Sequence, residues 1–298
     1  MSDLRSFLPP DALSRIESLE LRARLVVEGF ITGLHRSPYH GFSVEFAEHR
    51  QYMPGDEIRA IDWKVYGRTD RYYIKQYEEE TNLKGYVIVD ASASMGYASA
   101  GNPTKFQYAT SLAAALALLM IRQRDAAGLG MYDTELRNYL PASSRTSYLQ
   151  EILRTLANAR TAGGTGTARS LHVMAERIRR RGLVVVISDF FDDPAQVISA
   201  LQHFRHKRNE VVAMQLLDPL ERTFDFGNDA TFRDMESGEQ MVTQPYQIRK
   251  AYAQAMSDFT DHLKRECREH GIDYVLMDTA TPFDVGLAEY LNKRKKMG

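Results

Sequence analysis

The run Asp90-Ala91-Ser92-Ala93-Ser94 sets one carboxylate and two hydroxyls on alternate residues, directly after the apolar stretch Val87-Ile88-Val89. Hard oxygen donors of this kind suit magnesium or manganese, with calcium a further option, whereas zinc favours imidazole or thiolate. A second carboxylate, Asp189, follows the apolar run Val184-Val185-Val186-Ile187-Ser188. A third loop, Gly163-Gly164-Thr165-Gly166-Thr167, has glycines that let the backbone approach a ligand closely, and Thr165 can add a hydroxyl. One Asp-x-Ser-x-Ser run is weak evidence for a metal. Three such loops in order, each beside a predicted strand or helix, are a strong signal.

The elements that must position these residues alternate. A short β-branched strand over 86–89 ends at Asp90, and a strong apolar helix over 105–123 follows. Residues 129–132 read as a strand, with Asp133-Thr134 turning into 137–140. Helices are predicted over 147–159 and 168–181. Residues 183–188 form a continuous apolar run, the pattern of a strand covered on both faces. A helix over 194–205 carries proline in its first turn, which its fixed backbone angle favours. A strand over 210–217, a helix over 246–271, a last strand over 272–277 and a helix over 283–293 complete the series. Alternation of this kind predicts an α/β fold with a doubly wound, mostly parallel sheet. In such sheets ligands bind beyond the carboxyl ends of the strands, where Asp90 and Asp189 fall.

Ahead of Gly85 the pattern differs. Residues 12–30 show helical apolar spacing, residues 31–84 are dense in aromatic, charged and glycine residues, and 72–77 alternate as a short strand. Two parts are expected: an N-terminal segment, 1–84, packed on the core because its helix and aromatics need apolar cover, and an α/β domain, 85–298. Turn-forming Asp-Phe-Gly-Asn and Ser-Gly-Glu sequences over 223–243 predict a small β-hairpin insertion.

The totals exclude several classes. Lys and Arg number 38 against 39 Asp and Glu, so no global field favours nucleic acid or an anionic membrane. The single cysteine, Cys267, rules out an intramolecular disulfide and a multi-thiolate zinc site. His35, His40 and His49 lack the paired helical spacing of a zinc motif. The richest apolar run, 112–121, is too short for a bilayer span, which needs about 20 residues, and no secretory leader is apparent. A cytoplasmic protein is expected.

The three loops together resemble von Willebrand factor A domains, whose metal-ion-dependent adhesion site joins an Asp-x-Ser-x-Ser loop, a threonine loop and a later aspartate. The resemblance assigns Asp90, Ser92 and Ser94 to the first loop, Thr165 to the second and Asp189 to the third. It implies that serines and threonine bind the ion directly, that the aspartates act directly or through water, and that a partner's carboxylate can complete the shell. Upstream, Gly41-Phe42-Ser43-Val44-Glu45-Phe46, Arg50-Gln51-Tyr52-Met53-Pro54-Gly55-Asp56 and Arg59-Ala60-Ile61-Asp62-Trp63 closely resemble the bacterial family called domain of unknown function 58. Genes of that family often accompany MoxR-type AAA+ ATPases, so the resemblance implies an adaptor or partner of such an ATPase.

Plainer readings stand beside these. Asp90 and Asp189 could cap helices or satisfy loop amides, Thr167 could be a helix N-cap, and Asp192 and Asp193 suit the acidic first turn before Pro194. Asp56, Asp62 and Trp63 are expected in a buried polar network, and Arg50, Arg59 and Arg68 in ordinary ion pairs. A magnesium-dependent hydrolase using Asp90 and Asp189, or a scaffold with a vestigial site, are the alternatives to a binding module. The chain contains no Gly-x-x-x-x-Gly-Lys-Ser/Thr loop, Gly-x-Ser-x-Gly elbow or His-Glu-x-x-His helix to support an enzyme.

Overall fold

A computed structural model describes residues 43–53, 56, 61–80, 83–164, 166–227, 230–235, 238–283, 285–287 and 290. The helix expected over 12–30, His35, His40, Arg59, Thr165 and most of the last helix lie outside them. The chain divides into two compact units, one spanning Tyr39–Leu83 and the other carrying the chain from Lys84.

The smaller unit is a two-stranded antiparallel ladder of β1 (Ser43–Gln51) and β2 (Tyr73–Glu80), joined through the short helix α1 (Trp63–Thr69). Asp62 caps α1 by accepting from the amides of Lys64 and Val65, and Asp70 closes it in the left-handed conformation. The expected buried network is realised only at Asp62. Asp56 pairs with Arg50 at 2.7 Å near the surface, and Trp63 is 58% exposed, packed edge-on to Tyr66.

The larger unit is α/β. Its six-stranded sheet has the order β10-β7-β6-β3-β4-β5, built from β3 (Lys84–Asp90), β4 (Ala126–Tyr132), β5 (Leu136–Ser143), β6 (Leu183–Ser188), β7 (Glu210–Leu217) and β10 (Asp273–Asp278). All neighbours are parallel except β4 and β5, which form an antiparallel edge. Every residue of β6 is buried, as its unbroken apolar sequence requires of a strand covered on both faces.

On one face Ile88, Val184, Val186 and Ala213 pack against α4 (Thr167–Arg177), α5 (Pro194–His206) and the end of α7 (Pro245–Glu269). Alternate residues such as Val87, Val89, Val185 and Met214 face the other way and are equally buried. There α2 (Lys105–Arg122), which contacts β3, β4 and β7, is joined by α3 (Thr146–Asn158). Between β7 and α7 lie the short helix α6 (Pro219–Thr223) and the antiparallel pair β8 (Ala230–Arg233) and β9 (Gln240–Thr243).

In the larger unit the elements fall close to the predicted ones, apart from the short helix α6, which the sequence pattern does not announce, and the end of α4. Helix α4 stops at Arg177, four residues before the predicted end, because Ile178 turns extended and buries its side chain in the core. Local propensity in the arginine-rich run 177–181 favours continuing, and tertiary burial overrides it.

Candidate metal centre

Five parallel strands end on an aspartate. In sheet order these are Asp278 closing β10, Asp218 after β7, Asp189 after β6, Asp90 closing β3 and Asp133 after β4. Parallel strands bring their carboxyl ends to one edge, so the five acids form a row.

Asp90 and Asp189 sit at the centre, both fully buried. Asp90 Oδ1 accepts the Ser92 amide at 2.8 Å, and Oδ2 accepts the Ser188 hydroxyl at 2.7 Å and the Tyr132 hydroxyl at 3.3 Å. All three donors are neutral. Burial, and after it the nearby Asp189, raise the Asp90 carboxyl to about 7, while the bonds from Ser188 and Ser92 act in the opposite direction. Burial, then the Asp90 charge, likewise push the Tyr132 phenol well above its ordinary value.

Asp189 has a charged partner. Its Oδ2 accepts from Lys105 Nζ at 2.7 Å and its Oδ1 accepts the Phe191 amide at 3.2 Å. Phe190 takes a left-handed conformation, φ 57°, uncommon for a bulky residue. Its amide bonds Ser188 Oγ at 2.8 Å, so one serine fixes the turn after β6 and binds Asp90 at once. The Asp189 carbonyl accepts from Gln215 at 2.8 Å, and Gln215 accepts from Tyr274 at 2.5 Å, tying β6 to β7 and β10.

The Asp-x-Ser-x-Ser loop continues into a 3-10 turn, Ala93–Gly96. Ser92 is buried and Ser94 half-buried, and their Oγ atoms lie 3.1 Å apart. The third loop is bound to the first by two backbone bonds, Ala93 N–H to Gly163 O at 3.2 Å and Ala162 N–H to Ala91 O at 3.0 Å. Gly163 has φ 72°, and a Cβ on Gly166 would stand 2.6 Å from the Thr134 carbonyl oxygen. Gly166 occupies the cap position of α4, so Thr167 is the first helical residue rather than the N-cap. Its Oγ1 is buried without a hydrogen-bond partner among the described residues. Thr165 itself lies outside them.

The donor set fits a hard divalent ion. Oxygens about 2.1 Å from an octahedral ion lie about 3 Å from their neighbours, close to the separation of Ser92 and Ser94 Oγ. Among the described residues no three His, Cys, Asp or Glu side chains converge as a metal cluster, so an ion here would need hydroxyl ligands as well.

Several participants were not expected from sequence: Lys105, Tyr132, Asp133, Ser188, Asp218 and Glu221. Lys105 opens α2, where the helix dipole disfavours a cation, yet it is fully buried. A lysine heading an otherwise apolar helix is a legible sign of a buried acidic partner. Asp133 turns the chain after β4 by accepting the Glu135 amide, and it pairs with Arg137.

The described residues thus form an oxygen-lined corner on a doubly wound α/β domain. The family described as "Protein of unknown function DUF58" matches residues 48–262, and the chain belongs to that family. It is 27% identical over 299 residues to uncharacterized protein Rv1480 of Mycobacterium tuberculosis strain H37Rv, covering 96% of this chain and 91% of that protein. Among solved structures it is similar to the conserved hypothetical protein BatB from Bacteroides thetaiotaomicron, with 18% identity, a TM-score of 0.44 and coverage of 72% of this chain and 99% of that one. It is also similar to the vWF domain of the pili tip protein Mfa5 from Porphyromonas gingivalis, with 15% identity, a TM-score of 0.36 and coverage of 71% and 95%. Among the described residues no helix is long and apolar enough to cross a membrane.

Proposed function

We propose that this chain is a protein-binding module that works through one magnesium or manganese ion at the Asp90 corner. The observation that carries the reading is a charge imbalance. Asp90 and Asp189 are fully buried at the ends of adjacent strands, Lys105 balances Asp189, and no cation pairs with Asp90 among the described residues. A buried carboxylate without a cation is costly, and a divalent ion is the usual remedy where hydroxyl donors stand beside it.

Ser92 and Ser94 would hold the ion directly, joined by Thr165 or Thr167. Asp90 and Asp189 retain spare lone pairs, because three donors reach the first and two the second, of about four each. When bound, the ion supplies an electrophilic position that an acidic side chain of another protein can fill. With neutral hydroxyls as direct ligands, the chain leaves most of the ionic charge uncancelled. The family resemblance makes a MoxR-type AAA+ ATPase the first partner to try.

The test is recovery of proteins from the native cell on immobilised chain, with magnesium and with chelator, using wild type and Ser92→Ala/Ser94→Ala. Magnesium-dependent recovery of one protein, lost in the variant, is the expected result. Recovery indifferent to chelator and variant would remove the metal from the interface.

A further inference from the structure

The ammonium of Lys105 makes two ion pairs beside the site. It is fully buried, donates to Asp189 Oδ2 at 2.7 Å and to Glu221 Oε1 at 2.6 Å, and stands 4.9 Å from the centre of the Phe191 ring. Two carboxylates and an aromatic face account for its three protons. Asp189 is correspondingly committed, with one oxygen on Lys105 and the other on the Phe191 amide.

Glu221 is held in turn. Its Oε2 accepts the Asp218 amide at 2.9 Å, completing a capping box in which Asp218 starts α6. Asp218 Oδ2 accepts both the amide and the hydroxyl of Ser99, at 2.9 and 2.8 Å. Ser99 lies in the connection between the Asp-x-Ser-x-Ser loop and α2. Lys105 therefore links the end of β6 to the end of β7 and, through Asp218, to the loop that carries Ser92 and Ser94.

We propose that Lys105 is an internal counter-cation that withholds Asp189 from direct coordination, so that the chain by itself holds a divalent ion weakly and leaves it open to an acidic ligand. This rests on the metal reading above. A positive charge fixed on the Asp189 carboxylate competes with the ion for the same lone pairs and repels it. Glu221 moderates this by sharing the ammonium. The arrangement makes Lys105 a positioning residue and gives Lys105 and Glu221 opposite effects on affinity.

The experiment is manganese binding, read by the loss of free-ion paramagnetic resonance signal and by calorimetry, on the full chain. Wild type, Lys105→Met, Glu221→Gln, Asp90→Ala as the site control and Lys207→Met as a remote charge control are compared. Lys105→Met is expected to bind manganese more tightly by about tenfold or more, the scale of one like charge removed a few Å from the ion. Glu221→Gln is expected to bind more weakly, and Lys207→Met to match wild type. The rise in melting temperature on adding manganese should be larger for Lys105→Met than for wild type.

Binding by wild type that is abolished in Asp90→Ala, with Lys105→Met equal or weaker, would overturn the role of Lys105 and leave the metal reading intact. No Asp90-dependent binding in wild type or Lys105→Met would overturn both. Binding seen only once Lys105 is removed would support the counter-cation in its strongest form and remove the resting metal. If Lys105→Met does not fold, the sign of the Glu221→Gln change decides: tighter binding there overturns the proposal.

Discussion

Asp90 closes β3 and Asp189 directly follows the adjacent parallel strand β6, and both are fully buried, yet they are satisfied by opposite means. Asp189 is paired with an ammonium that is itself buried. Among the described residues Asp90 has only amide and hydroxyl donors, one of them Ser188, the neighbour of Asp189 in sequence. The flanking acids resemble the Asp189 side of the comparison or avoid it. Asp133 pairs with Arg137, Asp278 with Arg222, and Asp218 spends its charge on helix capping and Ser99. The contrast teaches that burial alone does not mark a site. Asp218 is also fully buried with neutral donors, but four of them reach it; Asp90 has three and stands beside a second buried carboxylate, Asp189, and that combination marks the site.

The contrast is broken most severely at its paired end. In chelator, Asp189→Ala leaves Lys105 with Glu221 alone, and removing one member of a buried pair costs about 3–5 kcal/mol. Urea unfolding should show that loss, and a loss below about 1 kcal/mol would mean the pair behaves as a surface one.

Asp90→Asn should act in the other direction. The folded protein raises the Asp90 carboxyl from an ordinary 3.8 to about 7, so the folded state binds this proton more tightly than the unfolded state. Its contribution to stability is complete below about pH 4 and is lost as pH rises through about 7. Metal-free wild type should therefore lose stability over that window relative to Asp90→Asn, and magnesium should restore it. Parallel stability profiles for the two proteins would contradict the assignment of Asp90 as the uncompensated charge.

A smaller effect is expected at Gly166, where a Cβ meets the Thr134 carbonyl oxygen at 2.6 Å. Gly166→Ala should cost about 1–3 kcal/mol through the forced backbone shift, and should weaken magnesium binding because the third loop is tied to the Asp-x-Ser-x-Ser loop. The smallest is at Thr167, whose hydroxyl is buried without a hydrogen-bond partner among the described residues. Thr167→Val should raise metal-free stability by about 1 kcal/mol, since a buried polar atom with no bond carries a desolvation penalty. If Thr167 is a ligand the same change weakens magnesium binding, and unchanged binding would assign that place to Thr165.

Much of this corner was legible in the sequence because it depends on short-range pattern. Apolar runs such as Val184–Ile187 specify buried strands, and an aspartate directly after such a run must lie at the sheet edge. The glycines of 163–166 likewise announce a close backbone approach. What pattern does not carry is pairing across the chain. Lys105 meets Asp189 over 84 residues and Glu221 over 116, and Ser188 meets Asp90 over 98. Those partners are set by the strand order of the sheet, which alternation predicts only as a class. Trp63 was misplaced for a related reason. Its aromatic character suggested burial, but it sits beside the cap of a seven-residue helix that buries none of its own side chains.

If Asp90 is the charge that a divalent ion answers, a calorimetric titration shows it. Magnesium is added to the full chain and to Asp90→Ala, with circular dichroism showing that both are folded. The wild type is expected to show a single site that the variant lacks. Equal binding by the two folded proteins, or none by the wild type at millimolar magnesium, would contradict it.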